Sequence, residues 1–509
     1  MKAFTFKLAL ALSCTAVVAA CTDTAGTEAL ESQSIAWREG DVNDALAEAQ
    51  ESGKPVLLYW GAQWCPPCAE MKQTLFKDPA FIAKTRDFVP VYLDGDTQGA
   101  QKWGDRFGIS GYPTVIALTP DGTEITRISS ATMASQLPDL LTLAAGRTRT
   151  IDAVLADAKS DPASLSDEDW TILGGFAWGN DPARFKESGS EADLLETLAK
   201  NAPDDALKRR FALLALTRKA EREGDGYKLS AAQENTLETV LPGILASRDE
   251  TIENRYELAY MGGPLVAALP SGETRTALAQ ELESALEAID ADKSLTLLDR
   301  TYATYGQVLL AEGMGTMDDP LKTKVRKRMA AIDKAASDPI ARKSVMSYAA
   351  MVLDEIGDRD AASKLLLAEI ETSPSPYYYM AIMADRAAED GDSDKAVEWA
   401  RKAYEAAEGP ATRVQWAVSY AMTVMDEKPD DDAAVLASAD AVLSELANSP
   451  DGYYQRTQRA ADRWGEALVK WSKEHGGSAV LDDVEARMAE VCARQGEKAE
   501  ACGGWMKSA

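Results

Sequence analysis

Histidine is almost missing from this sequence: His475 is the single one in 509 residues. A Ser-His-Asp hydrolase and a histidine-rich metal centre are excluded on that ground. The setting "SKEHGG" makes His475 itself the exposed end of a helix. Positive charge is also short. There are 54 Lys and Arg against 82 Asp and Glu, a net of -28 and a pI near 4.6. A field of that sign repels phosphate, so no nucleic-acid partner is expected. Long apolar runs are lacking as well. The longest, Leu8 to Ala20, follows Lys2 and Lys7 and is too short to span a bilayer; it reads as a signal peptide over residues 1–20. Cysteine is scarce too, with six in the chain, and each needs an explanation.

Export places the mature chain where disulfides persist. Cys14 leaves with the signal. Val18, Ala19, Ala20 and Cys21 resemble the lipobox of bacterial lipoproteins, although Val18 stands where Leu is usual. That resemblance implies a lipid on Cys21, attachment to a membrane facing the periplasm, and, with Thr22 rather than aspartate next, the outer membrane. Ordinary cleavage after Ala20 is the alternative and leaves Cys21 as a free thiol. Residues 21–33 form a polar tether without periodicity. As a flexible coil it spans roughly 20 Å. Four cysteines remain, falling into the pairs Cys65 with Cys68 and Cys492 with Cys502.

Over residues 34–147 strand and helix patterns alternate. Asp41 caps and Gly53 stops a helical segment, "KPVLLYWG" is a buried strand, and "PPCAEMKQTLF" is helical again. "DFVPVYLD", "PTVIALT" and "TEITRIS" are further strands, with "PDG" marking a hairpin between the last two. This pattern implies a mixed sheet covered by helices. Cys65 and Cys68 then stand just after a strand, at a helix start, where unpaired N–H groups and the helix dipole favour a thiolate. One turn separates them, within reach of a disulfide. Cys65 can attack and Cys68 can resolve.

"WCPPC" at 64–68 and "GYPT" at 111–114 together resemble the thioredoxin superfamily, and "GKPVLLYWGAQWCPPCAEMKQTLFKDPAFI" is most similar to exported thioredoxin-like domains such as the C-terminal domain of the membrane thiol reductase that feeds electrons to the periplasm. The resemblance implies a thioredoxin fold, catalysis by Cys65 and Cys68, a cis Pro113 against them, and substrate contacts from Trp64 and the Tyr112 backbone. It also implies disulfide-containing client proteins and a membrane or periplasmic thiol as electron donor. No cofactor or metal is called for, since no other cysteine pair or histidine lies in this domain to complete a zinc site. One departure stands out. Tyr59 occupies the place of the family's buried carboxylate, which relays the proton of the resolving thiol, and Asp94 or Glu70 are the candidates to replace it. Pro66 and Pro67 carry no charge and remove two N–H donors, which leaves the thiolate less stabilised and points to a protein-disulfide reductase rather than a strong oxidant.

Beyond residue 150 the strand signals stop and amphipathic helices follow. Gly357 and Gly391, Asp358 and Asp392, Asp360 and Asp394, Ala350 and Ala384, Ala362 and Ala396, Pro376 and Pro410 recur at a spacing of 34. This resembles the tetratricopeptide repeat, and a tetratricopeptide-like domain is expected over 341–509. Residues 148–340 are helical, as degenerate repeats or as a bundle. Cys492 and Cys502 are expected to form a structural disulfide, with a second electron shuttle as the sharper alternative. "YYYM" at 377–380 can line a peptide groove, but at helix spacing core is favoured. "DEKPDDD" at 426–432 lacks the glycine and terminal glutamate of a calcium loop and reads as a solvated turn. The whole is an α/β thioredoxin fold followed by a large all-α domain, with an exported thiol-disulfide oxidoreductase as the favoured function. The competing reading is a binding protein, similar to co-chaperones that join a thioredoxin domain to tetratricopeptide repeats, in which client capture by the helices is the main role.

Overall fold

A computed structural model describes residues 34–39, 41–129, 133–185, 190–224 and 226–508. The apolar leader, the tether and Cys21 lie outside the described residues.

Five strands form one mixed sheet in the order β1-β3-β2-β4-β5, with β1 at Arg38–Glu39, β2 at Val56–Gly61, β3 at Val89–Asp94, β4 at Thr114–Leu118 and β5 at Glu124–Ser129. β3 pairs in parallel with β1 and β2, while β4 runs antiparallel to both β2 and β5. The helices of this unit are α1 at Val42–Ser52, α2 at Pro66–Gln73, α3 at Pro79–Thr85, α4 at Gln98–Arg106 and α5 at Met133–Ala145. Asp41 caps α1 by accepting from the Asn43 N–H at 2.9 Å, and Gly53 ends it at φ 73°.

β2 is central and buried along its whole length, which is why its sequence is a continuous apolar run rather than an alternation. Its two faces serve two cores. Val56, Leu58 and Trp60 pack with Val42 and Ala45 of α1 and Ala100 of α4. Leu57 and Tyr59 pack with Met71 of α2, Phe81 and Ile82 of α3, and Leu140 and Leu141 of α5.

The second core does not stop at the end of α5. It runs on through Ile151 and Val154, Trp170 and Ile172, to Phe211 and Leu214. The same seam holds an ion network: buried Arg127 of β5 pairs with Glu124 and Asp181, and Arg184 pairs with the same two carboxylates and with the exposed Asp152. The sheet unit and the first helices of the all-α part therefore share one interior.

From there the chain is helical to its end. Helix hairpins stack in sequence, and their tight corners need a left-handed residue: Gly357 and Gly391 sit at φ 78° and 73°. Asp358 and Asp392 follow as N-caps, accepting from the Ala361 and Lys395 N–H groups. The array then returns to the sheet domain. Helix Pro339–Glu355 packs against α2, and helix Gln455–His475 against α4.

Candidate active site

α2 begins at Cys65, whose backbone is extended (φ -77°, ψ 115°) and whose sulfur accepts the Cys68 N–H at 3.2 Å. Pro66 and Pro67 hold the first two helical positions, where a missing N–H breaks no helix bond. The cost falls on the sulfur instead, because the first turn has one N–H left to offer it. Cys65 and Cys68 are joined as a disulfide. Both are buried, at 2% and 0% exposure.

The Tyr112–Pro113 peptide is cis. Pro113 is buried and leads into β4. Tyr112 and Trp64 pack together on the cysteine pair, with ring centroids 6.1 Å apart. Tyr112 also packs against Gly95, where a Cβ would fall 2.4 Å from the ring. Its hydroxyl meets Gln101 Nε2 at 3.2 Å.

The rest of the site comes from the far end of the chain. Tyr378 stacks on Trp64 at 6.4 Å and 19°, and the Arg456 guanidinium covers Trp64 and Tyr112 at 4.7 and 5.5 Å. Gln455 accepts from the Tyr112 hydroxyl at 3.2 Å and donates to the Ile109 carbonyl at 2.9 Å, contacts spanning 343 and 346 residues. The Arg456 N–H donates to Gln101 Oε1 at 2.9 Å. Lys343 donates to the Gln63 carbonyl at 2.7 Å, and Gln73 to Asp338 at 2.7 Å. Asp96 accepts the Thr412 N–H at 2.8 Å; burial pushes its carboxyl up, opposed by the Arg456 charge. The docked segment carries two non-glycine residues with positive φ, Asp451 at 56° and Gln455 at 45°. Backbone strain of this kind persists where surrounding contacts over-determine it.

Sequence reasoning missed Tyr378, Lys343, Gln455 and Arg456 as neighbours of the cysteines. "YYYM" divides: Tyr377 and Tyr379 are core, while Tyr378 faces Trp64. "DGYYQRTQRA" carries no local mark of what it touches.

Tyr59 is buried, stacked on Tyr92 and edge-on to Phe76. Its hydroxyl has no hydrogen-bond partner, and burial raises its pKa far above the ordinary phenol value. It fills the carboxylate's position without being a base. Asp94 sits opposite Gly61 at the end of β3, accepting the Asp96 N–H at 3.1 Å. Glu70 turns the other way, toward Thr296 and Ser344 of the helical part; burial raises its carboxyl, and those hydroxyls oppose the rise.

Cys492 and Cys502 are also disulfide-bonded, within the separate core of Trp464, Met488 and Trp505. His475 ends its helix exposed, 3.3 Å from Asp430. Among the described residues no group of His, Cys, Asp and Glu could hold a metal ion, and no helix is long and apolar enough to cross a membrane. A cleft of about 790 Å³ runs along β3 and α4, between Glu39, Asp41, Tyr92, Asp94, Trp103 and Arg106. None of Cys65, Cys68, Tyr112 and Pro113 lines it.

Residues 42–145 match the thioredoxin-like domain family. The chain is 34% identical over 82 residues to thiol:disulfide interchange protein DsbD 1 of Pseudomonas aeruginosa, covering 16% of this chain and 14% of that protein. It is 31% identical over 86 residues to DsbD of Salmonella typhimurium, 16% and 15% of the two chains. It is 26% identical over 152 residues to protein disulfide-isomerase erp38 of Neurospora crassa, 30% and 40%. The chain thus matches about a seventh of the length of the interchange proteins. It carries a thioredoxin-like domain with a cysteine pair at disulfide distance, joined to a large all-helical region, and the chemistry it supports is thiol-disulfide exchange.

Proposed function

We propose that the protein is an exported protein-disulfide reductase, held at a periplasmic membrane surface by a lipid on Cys21. The Cys65 thiolate attacks one sulfur of a client disulfide, forming a mixed disulfide and releasing the other client sulfur as a thiolate. Cys68 then attacks Cys65, restoring the Cys65–Cys68 bond and freeing the second client sulfur. Two electrons have passed to the client. A membrane or periplasmic dithiol donor returns them to the pair.

The observation that carries this reading is the seat of Cys65: the cap of a helix, with one N–H on its sulfur and its partner one turn away. The two prolines support the direction, because a thiolate with few donors makes the reduced form a better electron source. The names of the matched relatives support exchange chemistry without giving its direction. Trp64 and Tyr112 are read as client contacts and Pro113 as part of the catalytic surface.

Turnover of insulin disulfides with a dithiol donor tests the function. Reduction that is absent in the wild type, or that survives Cys65→Ala, sinks it. The poise has its own check: a potential near -120 mV, at the oxidising end of this class, overturns the argument from the prolines. The burial of Cys65 beneath the helical array favours a second reading, in which the array captures clients and exchange is secondary. A Cys68→Ser trap that retains the same proteins with and without Cys65 supports that reading instead.

A further inference from the structure

The cysteine pair lies under a charge that its own domain does not encode. Arg456 is 8% exposed and spreads over Trp64 and Tyr112, the two rings packed on the sulfurs. One Nη donates weakly to Thr412 Oγ1 at 3.4 Å. The other, Nη1, stands 3.9 Å from Asp96 and is buried with no hydrogen-bond partner. Trp64 Nε1, in the same layer, is buried and unpartnered too. Leaving such donors unpaired is costly, and a redox role is one recognised reason to keep them.

The disulfide is neutral, but its reduced form is not. A dithiol donor delivers two electrons, breaking the S–S bond; Cys65 emerges as thiolate, Cys68 as thiol, the donor leaves as its own disulfide, and one proton goes to solvent. The helix end meets the new anion with a single N–H, since Pro66 and Pro67 have none. We propose that Arg456 is a positioning residue for this step: it stabilises the Cys65 thiolate from across the Trp64 and Tyr112 rings, so that the docked helical domain sets the poise of the cysteine pair. This rests on Cys65 being the nucleophile of the proposed function.

The other charged or titratable groups around the pair are Asp94 at the end of β3 and Asp96 just beyond it, Glu70 and Lys72 on α2, Lys343 on helix Pro339–Glu355, Arg459 beside Arg456, and the phenols of Tyr112 and Tyr378. Burial pushes Lys72, Lys343 and Arg459 down. It pushes Glu70, Asp96, Tyr112 and Tyr378 up. Burial thus works against the charge on each of these seven, and the Arg456 guanidinium is the cation that lies on the two rings over the sulfurs.

The test is made on the full-length reduced protein, without a client. Thiolate absorbance against pH gives the Cys65 ionisation, and equilibration with glutathione gives the potential. Arg456→Gln should lower the ionisation constant about tenfold and move the potential about 30 mV more negative, the equivalent of tenfold in a two-electron couple. Arg456→Lys should recover most of both. Asp96→Asn, which removes the carboxylate nearest the guanidinium, should shift both the opposite way. Wild-type titration in a folded Arg456→Gln protein overturns the proposal, as does an equal shift in the Gln and Lys variants. Should Arg456→Gln fail to fold, Asp96→Asn decides: an unchanged or raised Cys65 pKa overturns it. A low-titrating thiolate that persists in Cys65→Ala is a different failure, that of the nucleophile assignment.

Discussion

Among the described residues, two buried disulfides differ in which end of a helix they occupy. Cys65 caps the start of α2, while Cys492 is the last residue of helix Ser478–Cys492. Exposure does not separate them, at 2% and 0% for one pair and 6% and 5% for the other. Polarity does. A helix start offers N–H groups and partial positive charge, which favour a thiolate; a helix end offers carbonyls and the opposite sign, which disfavour it. The N-terminal pair also has a guanidinium over its aromatic cover, whereas the other sits among Trp464, Val491 and Trp505. Burial alone is thus a poor guide to whether a cysteine reacts, and the dipole beneath it is a better one.

The sharpest way to break this contrast is to delete each pair in turn. Cys65→Ala should abolish exchange with a generic protein disulfide, while the double change Cys492→Ala, Cys502→Ala should leave the rate within about twofold. Loss of turnover in the double variant would make the C-terminal pair a second shuttle.

A large effect is also expected from cutting the chain. A fragment of residues 34–147 bares Leu140, Leu141 and Ala144, whose cover is Ile151, Val154 and Trp170. It should aggregate or melt well below a fragment of residues 34–224, which keeps that shared core. Thermal melts of the two fragments decide this, and equal stability would mean the sheet unit closes its own interior.

How much of this was legible in the sequence follows from chain distance. The central strand, the Asp41 and Gly53 caps and the cysteine helix were readable because each is written in a few adjacent residues. α4 carries a weak helical pattern because Gly99 and Gly104 interrupt it; Gly104 faces Gln455, where a Cβ would make a tight 3.3 Å contact with that side chain. The upper half of the candidate site was not readable at all. Gln455 meets Tyr112 across 343 residues, and that meeting depends on how every intervening hairpin stacks.

Removing the Cys492–Cys502 bond should cost about 3 kcal/mol of unfolding free energy in the chain-entropy model, seen as a lower urea midpoint with exchange retained. The smallest expected effect is at Glu70, between α2 and the array. One of its oxygens is buried without a partner, and burial raises its carboxyl above the ordinary 4.5. A raised acid contributes its stability below the unfolded pKa and loses it as pH climbs through the folded one. The wild type should therefore lose stability as pH rises above about 4.5, and Glu70→Gln should flatten that slope and gain about 1 kcal/mol at neutral pH. A steeper slope in the variant would show that Glu70 is ionised and paired.

The shared core at one end and the Gln455–Arg456 contacts at the other grip the sheet unit twice, so it cannot swing like a redox arm on a hinge. Light scattering and NMR relaxation should report one rotational correlation time for the whole described body. Molecular search then falls to the other participant. A disulfide that meets this sulfur must be brought to it on a segment slender enough to slip beneath the aromatic roof, which gives unfolded or loosely looped chains a kinetic advantage over compact ones.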